Sequence, residues 1–204
     1  MKTRIAVLVS GGGTHLQPLL DAEEKGLIPH GEIAMVISNN PKAYALERAK
    51  NAGVPGAVVS RKECADQAEF ESRIQSILEL GGIDLVILAG FMCILTERFT
   101  AKWPGRILNI HPSLIPAFCG EGFYGLRVHE AALARGVKLT GATVHFVNEI
   151  PDGGPILLQK AVAVEEGDTP EVLQRRVMEQ AEWLLLPQAA EMVSLALYNE
   201  REGK

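Results

Sequence analysis

Short runs of valine, isoleucine and leucine recur along this chain, separated by stretches with helical spacing. This alternation limits the possible folds more than any other feature. The runs are RIAVLVS (4–10), EIAMVIS (32–38), GAVVS (56–60), LVILA (85–89) and RILNIH (106–111). Between them, Leu16–Lys25, Ala43–Ala52 and Phe70–Leu80 place apolar residues at helical intervals. Strands that are apolar on both faces and alternate with helices require a parallel sheet covered on both sides. The pattern predicts an α/β, doubly wound, mostly parallel sheet flanked by helices, of Rossmann-like type.

After Pro116 the rhythm changes. A glycine-rich piece, AFCGEGFYG, precedes a helix around Leu126–Arg135. Two strand-like runs, LTGATVHFV and PILLQKAVAV, are joined by NEIPDGG. A long final helix is expected from about Thr169 to Asn199, bent at Pro187. With no repeat and no linker, one domain over residues 1–204 is the expectation.

The formal net charge of −5 argues against broad nucleic-acid or anionic-membrane binding. The apolar tract IDLVILAGFMCIL is shorter than the roughly 20 residues of a membrane helix and contains Asp84. Ile5–Val9 is too short for a secretion signal. Cys64, Cys93 and Cys119 are odd in number and form no CxxC pair, so a reducing, cytoplasmic setting is expected, without a zinc site.

In open α/β sheets, ligands bind beyond the carboxyl ends of the strands. Three segments fall there. The first is the loop in VSGGGTHLQ. Its glycines permit close backbone approach, and the following helix start offers free N–H groups to an anion. The dinucleotide pattern fails because Leu16 stands where a glycine is needed, and the P-loop lysine is absent. On residues alone, both a phosphate site and a plain tight turn stay open. The second segment is the loop after LVILAG.

The third is the hook NIHPSLIP. Asn109 and His111 are two apart in a strand and leave the same face. A carboxamide N–H can donate to an oxygen gaining negative charge, and an imidazole moves protons near neutral pH. Asp152, in the rigid turn PDGGP, is a carboxylate that near His111 would favour the imidazolium. Capping or interior roles for Asn109 and His111, and a plain turn role for Asp152, also fit these residues. His129 reads as a surface or site-rim residue and His145 as a strand residue. There is no HExxH pair and no GxSxG elbow.

The segments VSGGGTHLQ, VISN, LAGFMCIL, ILNIHPSLIPAF, GATVHFV and DGGPILLQ, in that order, resemble the folate-dependent formyltransferases. The likeness runs from the first strand to the last helix, and within the superfamily it points to the branch that acts on glycinamide ribonucleotide. It implies the formyltransferase fold and acyl transfer from 10-formyltetrahydrofolate, the co-substrate, to the ribonucleotide's amine in purine (IMP) biosynthesis, without a metal. It further implies Asn109, His111 and Asp152 as the catalytic set, and Gly13, Thr14, His15 and Glu182 as ribonucleotide contacts. Folate contacts fall on Met92, Cys93, Ile94 and Leu95, on Asn109, and on Asn148, Glu149, Ile150, Pro151 and Asp152. The expected partners are small molecules, with no nucleic acid or membrane, and a monomer or homodimer is expected. The chain departs from many members at Cys93, often arginine, and at Thr14–His15, often serine–asparagine. Gln67 stands where some members carry a basic residue toward the folate tail, and CGEGFYG lengthens the loop after His111. Enzymes of this superfamily that formylate tRNA or hydrolyse formyl-folate typically carry a further domain, which 204 residues are not expected to accommodate.

Overall fold

A computed structural model describes residues 1–203. The strands are β1 (Thr3–Val9), β2 (Gly31–Ser38), β3 (Gly56–Val58), β4 (Leu85–Leu88), β5 (Ile107–His111), β6 (Leu139–Phe146) and β7 (Ile156–Ala163). The helices are α1 (Leu16–Glu24), α2 (Ala45–Asn51), α3 (Gln67–Leu80), α4 (Glu97–Thr100), α5 (Leu126–Arg135), α6 (Pro170–Val177) and α7 (Trp183–Glu202). They build one seven-stranded sheet of order β3-β2-β1-β4-β5-β6-β7. The first five strands pair in parallel, β6 pairs antiparallel with β5 and β7 antiparallel with β6, so the sheet is mostly parallel.

Side-chain alternation divides the core in two. Ile5, Val7 and Val9 of β1 pack with α1, α2, α6 and α7, whereas Ala6 and Leu8 face α3 and α4. Leu85 and Ile87 join the first layer, Val86 and Leu88 the second. Full burial of a side chain such as Leu8 or Ile87 favours folding by about 1.5–3 kcal/mol.

The chain moves outward from β1 to β3, then returns to add β4 and β5 on the other side of β1. The carboxyl ends of β1, β4 and β5 therefore lie side by side at the point where the strand order reverses, the usual ligand position in such sheets.

The final helical stretch departs from expectation. Its interruption lies at Met178–Glu182, a π-helical turn between α6 and α7, while Pro187 sits inside α7. Proline cannot donate to the carbonyl one turn back. The ladder widens ahead of that position, so the irregularity precedes the proline. Among the described residues no helix is long and apolar enough to cross a membrane.

Candidate active site

The glycine loop leaves β1 and enters α1 at Leu16. Gly13 has φ +73°, and a Cβ there would stand 2.9 Å from the Ala45 Cβ, so α2 packs directly on this glycine. Gly11 and Gly12 face open space. Their carbonyls are held instead: Ala45 N donates to Gly11 O at 3.1 Å and Arg48 Nε to Gly12 O at 2.8 Å. No side chain caps α1, which leaves its first N–H groups for an anion.

Beside the loop, His15 Nε2 lies 2.5 Å from Glu182 Oε2. Two residues expected at the ribonucleotide, from opposite ends of the chain, thus touch, Glu182 being the last residue of the π turn. Burial lowers the His15 pKa, but the charge of Glu182 and the hydrogen bond to it outweigh burial and raise it overall.

At the end of β5, Asn109, His111 and Asp152 converge. His111 Nδ1 lies 3.4 Å from Asp152 Oδ2, and Asn109 Nδ2 lies 3.5 Å from Asp152 Oδ1. Asp152 holds φ +54° in the turn between β6 and β7, a left-handed conformation that Asp and Asn tolerate better than most residues. The two glycines after it are needed for space. A Cβ on Gly153 would meet the Ile150 side chain at 2.6 Å, and one on Gly154 would stand 1.8 Å from the Phe146 carbonyl oxygen. Burial pushes the Asp152 carboxyl up, but contact with His145, the His111 charge and the Gly120 N–H together hold it below the ordinary aspartate value.

The glycine-rich loop after His111 reaches this cluster through its backbone. His111 Nε2 is 2.8 Å from the Phe118 carbonyl oxygen, and Gly120 N donates to Asp152 Oδ2 at 2.9 Å. Ser113 and Thr143 brace the hook: Thr143 Oγ1 donates to Ser113 O at 2.7 Å and accepts from Ile115 N at 3.1 Å.

Of the residues expected at the folate, Met92, Ile94, Glu149, Ile150 and Pro151 are exposed, whereas Leu95 is buried. Cys93 Sγ accepts from Asn39 Nδ2 at 2.9 Å, and Asn148 Oδ1 accepts from Ile150 N at 3.0 Å. The 92–95 loop is pinned at both ends. Met92 N donates to Ser10 Oγ at 2.8 Å, and the buried carboxylate of Glu71 accepts from Thr96 N at 2.7 Å and Thr96 Oγ1 at 2.6 Å. Gln67 belongs to this brace, donating to Glu71 at 2.9 Å and to the Ile94 carbonyl at 3.1 Å.

Two histidines differ from the sequence reading. His129, expected at the surface or site rim, is fully buried, and neither ring nitrogen has a partner among the described residues. Burial lowers its pKa, with Glu182 opposing and His111 adding to the effect. His145, expected only as a strand residue, lies against the cluster, with Nε2 3.2 Å from Asn109 Nδ2 and 3.4 Å from Asp152 Oδ1. The alternation Thr143, His145 opposite core residues Ala142 and Val144 was the available signal; it became informative once β6 paired with β5.

Residues 3–189 match the sequence pattern of the formyl transferase family. The phosphoribosylglycinamide formyltransferase of Haemophilus influenzae is 46% identical over 177 residues, covering 87% of this chain and 81% of that protein. The trifunctional purine biosynthetic protein adenosine-3 of Homo sapiens is 45% identical over 195 residues, and this chain spans only 18% of its length. Among solved structures, glycinamide ribonucleotide transformylase 1 from Symbiobacterium toebii superposes with a TM-score of 0.89 at 43% identity, over 96% of this chain and 89% of that one. With this fold, these loops and this match over most of its length, the chain belongs to the formyl transferase family.

Proposed function

We propose that this chain, as a single formyltransferase domain over residues 1–204, transfers the formyl group of 10-formyltetrahydrofolate to the amine of glycinamide ribonucleotide, a step of purine (IMP) biosynthesis. The observation that carries this reading is the meeting of Asn109, His111 and Asp152 at the end of β5. The open glycine loop lies beyond β1, and the braced 92–95 loop beyond β4, which pairs with both β1 and β5.

The amine nitrogen attacks the formyl carbon and forms a C–N bond. The formyl oxygen takes up charge in a tetrahedral intermediate, the bond from carbon to folate N10 breaks, and N10 gains the proton that the amine gives up. Asn109 donates an N–H to the developing oxyanion. The His111 Nε2–H, which donates to the Phe118 carbonyl at 2.8 Å, is the second donor; that carbonyl stands in for the substrate oxygen. Asp152, held ionised, orients the His111 ring through Nδ1.

The ribonucleotide phosphate rests on N–H groups at Gly13, Thr14 and His15, where Gly11 and Gly12 leave room for it. Glu182 compensates the His15 charge and accepts from the ribose. The folate pterin lies between Met92–Leu95 and Asn148–Asp152, also contacting Asn109. The three cysteines are free, which suits a cytoplasmic setting.

The test is to mix purified protein with glycinamide ribonucleotide and 10-formyltetrahydrofolate and follow the deformylated folate, with a parallel reaction lacking the ribonucleotide. Turnover that needs the ribonucleotide and vanishes in His111→Ala supports the transferase. Equal folate release in both reactions means a hydrolase, and no turnover from folded protein overturns the proposal.

A further inference from the structure

We infer that His145 is a positioning residue for formyl transfer and that it decides which way the Asn109 carboxamide points. The inference rests on the transferase reading, in which Asn109 donates to the oxyanion. His145 is buried at 2% exposure and stands directly opposite Asn109 in the β5–β6 register. Side chains paired in this way across strands are close neighbours.

Its hydrogen placement follows from its partners. Nδ1 lies 2.8 Å from the Phe146 carbonyl oxygen, and a carbonyl only accepts, so Nδ1 carries the hydrogen. In the neutral ring Nε2 then holds a lone pair, and the hydrogen bond from His145 to Asp152 belongs to the charged ring. Its polar neighbours are Asn109 Nδ2 at 3.2 Å and Asp152 Oδ1 at 3.4 Å. Only the amide nitrogen can donate to it. A flipped carboxamide would set its oxygen against both the lone pair and the Asp152 carboxylate, an arrangement of three acceptors with no hydrogen between them. Asn109 is thereby held nitrogen-inward, with one N–H spent on His145. Its other N–H, for which Asp152 Oδ1 at 3.5 Å is a distant acceptor, is the one a developing oxyanion takes.

An interior histidine that merely satisfies the Phe146 carbonyl would share the same burial. Two substitutions separate the roles. His145→Asn keeps a donor near the Nδ1 position but nothing at Nε2, whereas His145→Gln places an amide oxygen near the Nε2 position. Positioning predicts that kcat falls roughly 10²-fold in His145→Asn and within roughly 10-fold in His145→Gln, with KM for both substrates little changed. A packing or Phe146-anchoring role predicts the reverse order or equality, and either result overturns the proposal.

Should the variants fail to fold, wild-type protein decides the matter. Long-range ¹H–¹⁵N correlation on the imidazole identifies which nitrogen is protonated, and ¹⁵N-asparagine labelling reads the Asn109 side-chain amide, assigned by its loss in Asn109→Ser. Protonation at Nδ1 with one strongly downfield Asn109 N–H supports the inference. A proton on Nε2, in the neutral or in the charged ring, sinks it. These spectra need no turnover, so loss of the transferase reading in the activity assay is distinguishable from loss of the His145 contact.

Discussion

His15 and Glu182 are 167 positions apart in sequence and meet with Nε2 2.5 Å from Oε2, joining the exit of β1 to the π turn before α7. The contact closes one side of the glycine loop, and it ties the last helical segment to the site rather than only to the sheet.

Replacing His15 with leucine leaves the Glu182 carboxylate, 3% exposed, without its charge partner. Removing one partner of a buried pair costs about 3–5 kcal/mol. Taking the low end, about 3 kcal/mol, because His15 is partly exposed, a melting temperature lowered by roughly 6–12 °C is expected for a domain of this size. Differential scanning calorimetry checks this; a shift under ~2 °C would mean the pair contributes little to stability.

The same pair has a pH signature. The His15 pKa is raised in the folded state, so its stabilisation is fully present below the unfolded value of about 6.5 and is lost as pH rises through the folded value. His129 runs the other way. Its folded pKa is lowered, so stability falls as pH drops below about 6.5, where the unfolded chain takes a proton the buried ring refuses. Melting curves from pH 5 to 9 should show the gap between wild type and His15→Leu widest on the acid side. His129→Leu should gain on wild type as the pH falls below roughly 6.5.

Asp152→Asn keeps an acceptor for the Gly120 N–H and a residue type that tolerates φ +54°, but removes the charge beside His111. The fold should survive, and kcat should drop roughly 10²-fold or more. Stopped-flow or steady-state folate release measures it; a wild-type rate would remove Asp152 from the mechanism.

The glycines of the two proposed ligand loops should behave differently. Gly154→Ala drives a Cβ to 1.8 Å from the Phe146 carbonyl, so the turn must move and carry Asp152 away from His111. Activity and melting temperature should both fall. Gly12→Ala meets nothing within 4 Å, so stability should change by less than ~1 kcal/mol, while the KM for the ribonucleotide rises if its phosphate packs there. Parallel melts and kinetics of the two variants separate space needed by the fold from space needed by a ligand.

The chain alone determined much of this protein. Apolar strands that alternate with helices have few ways to hide both faces, so the parallel sheet was readable from Val, Ile and Leu spacing. Asn109 and His111 stood out for the same reason, as polar residues on a strand that otherwise reads as core, and Asp152 was marked by its Asp-Gly-Gly turn. Local periodicity carries no information about which distant residues touch. The meeting of His15 with Glu182, the burial of His129 and the pairing of His145 with Asn109 follow from register and helix packing, and only the tertiary structure decided them. The π turn escaped notice because helical spacing reports an average period, and a single widened turn leaves that average almost unchanged.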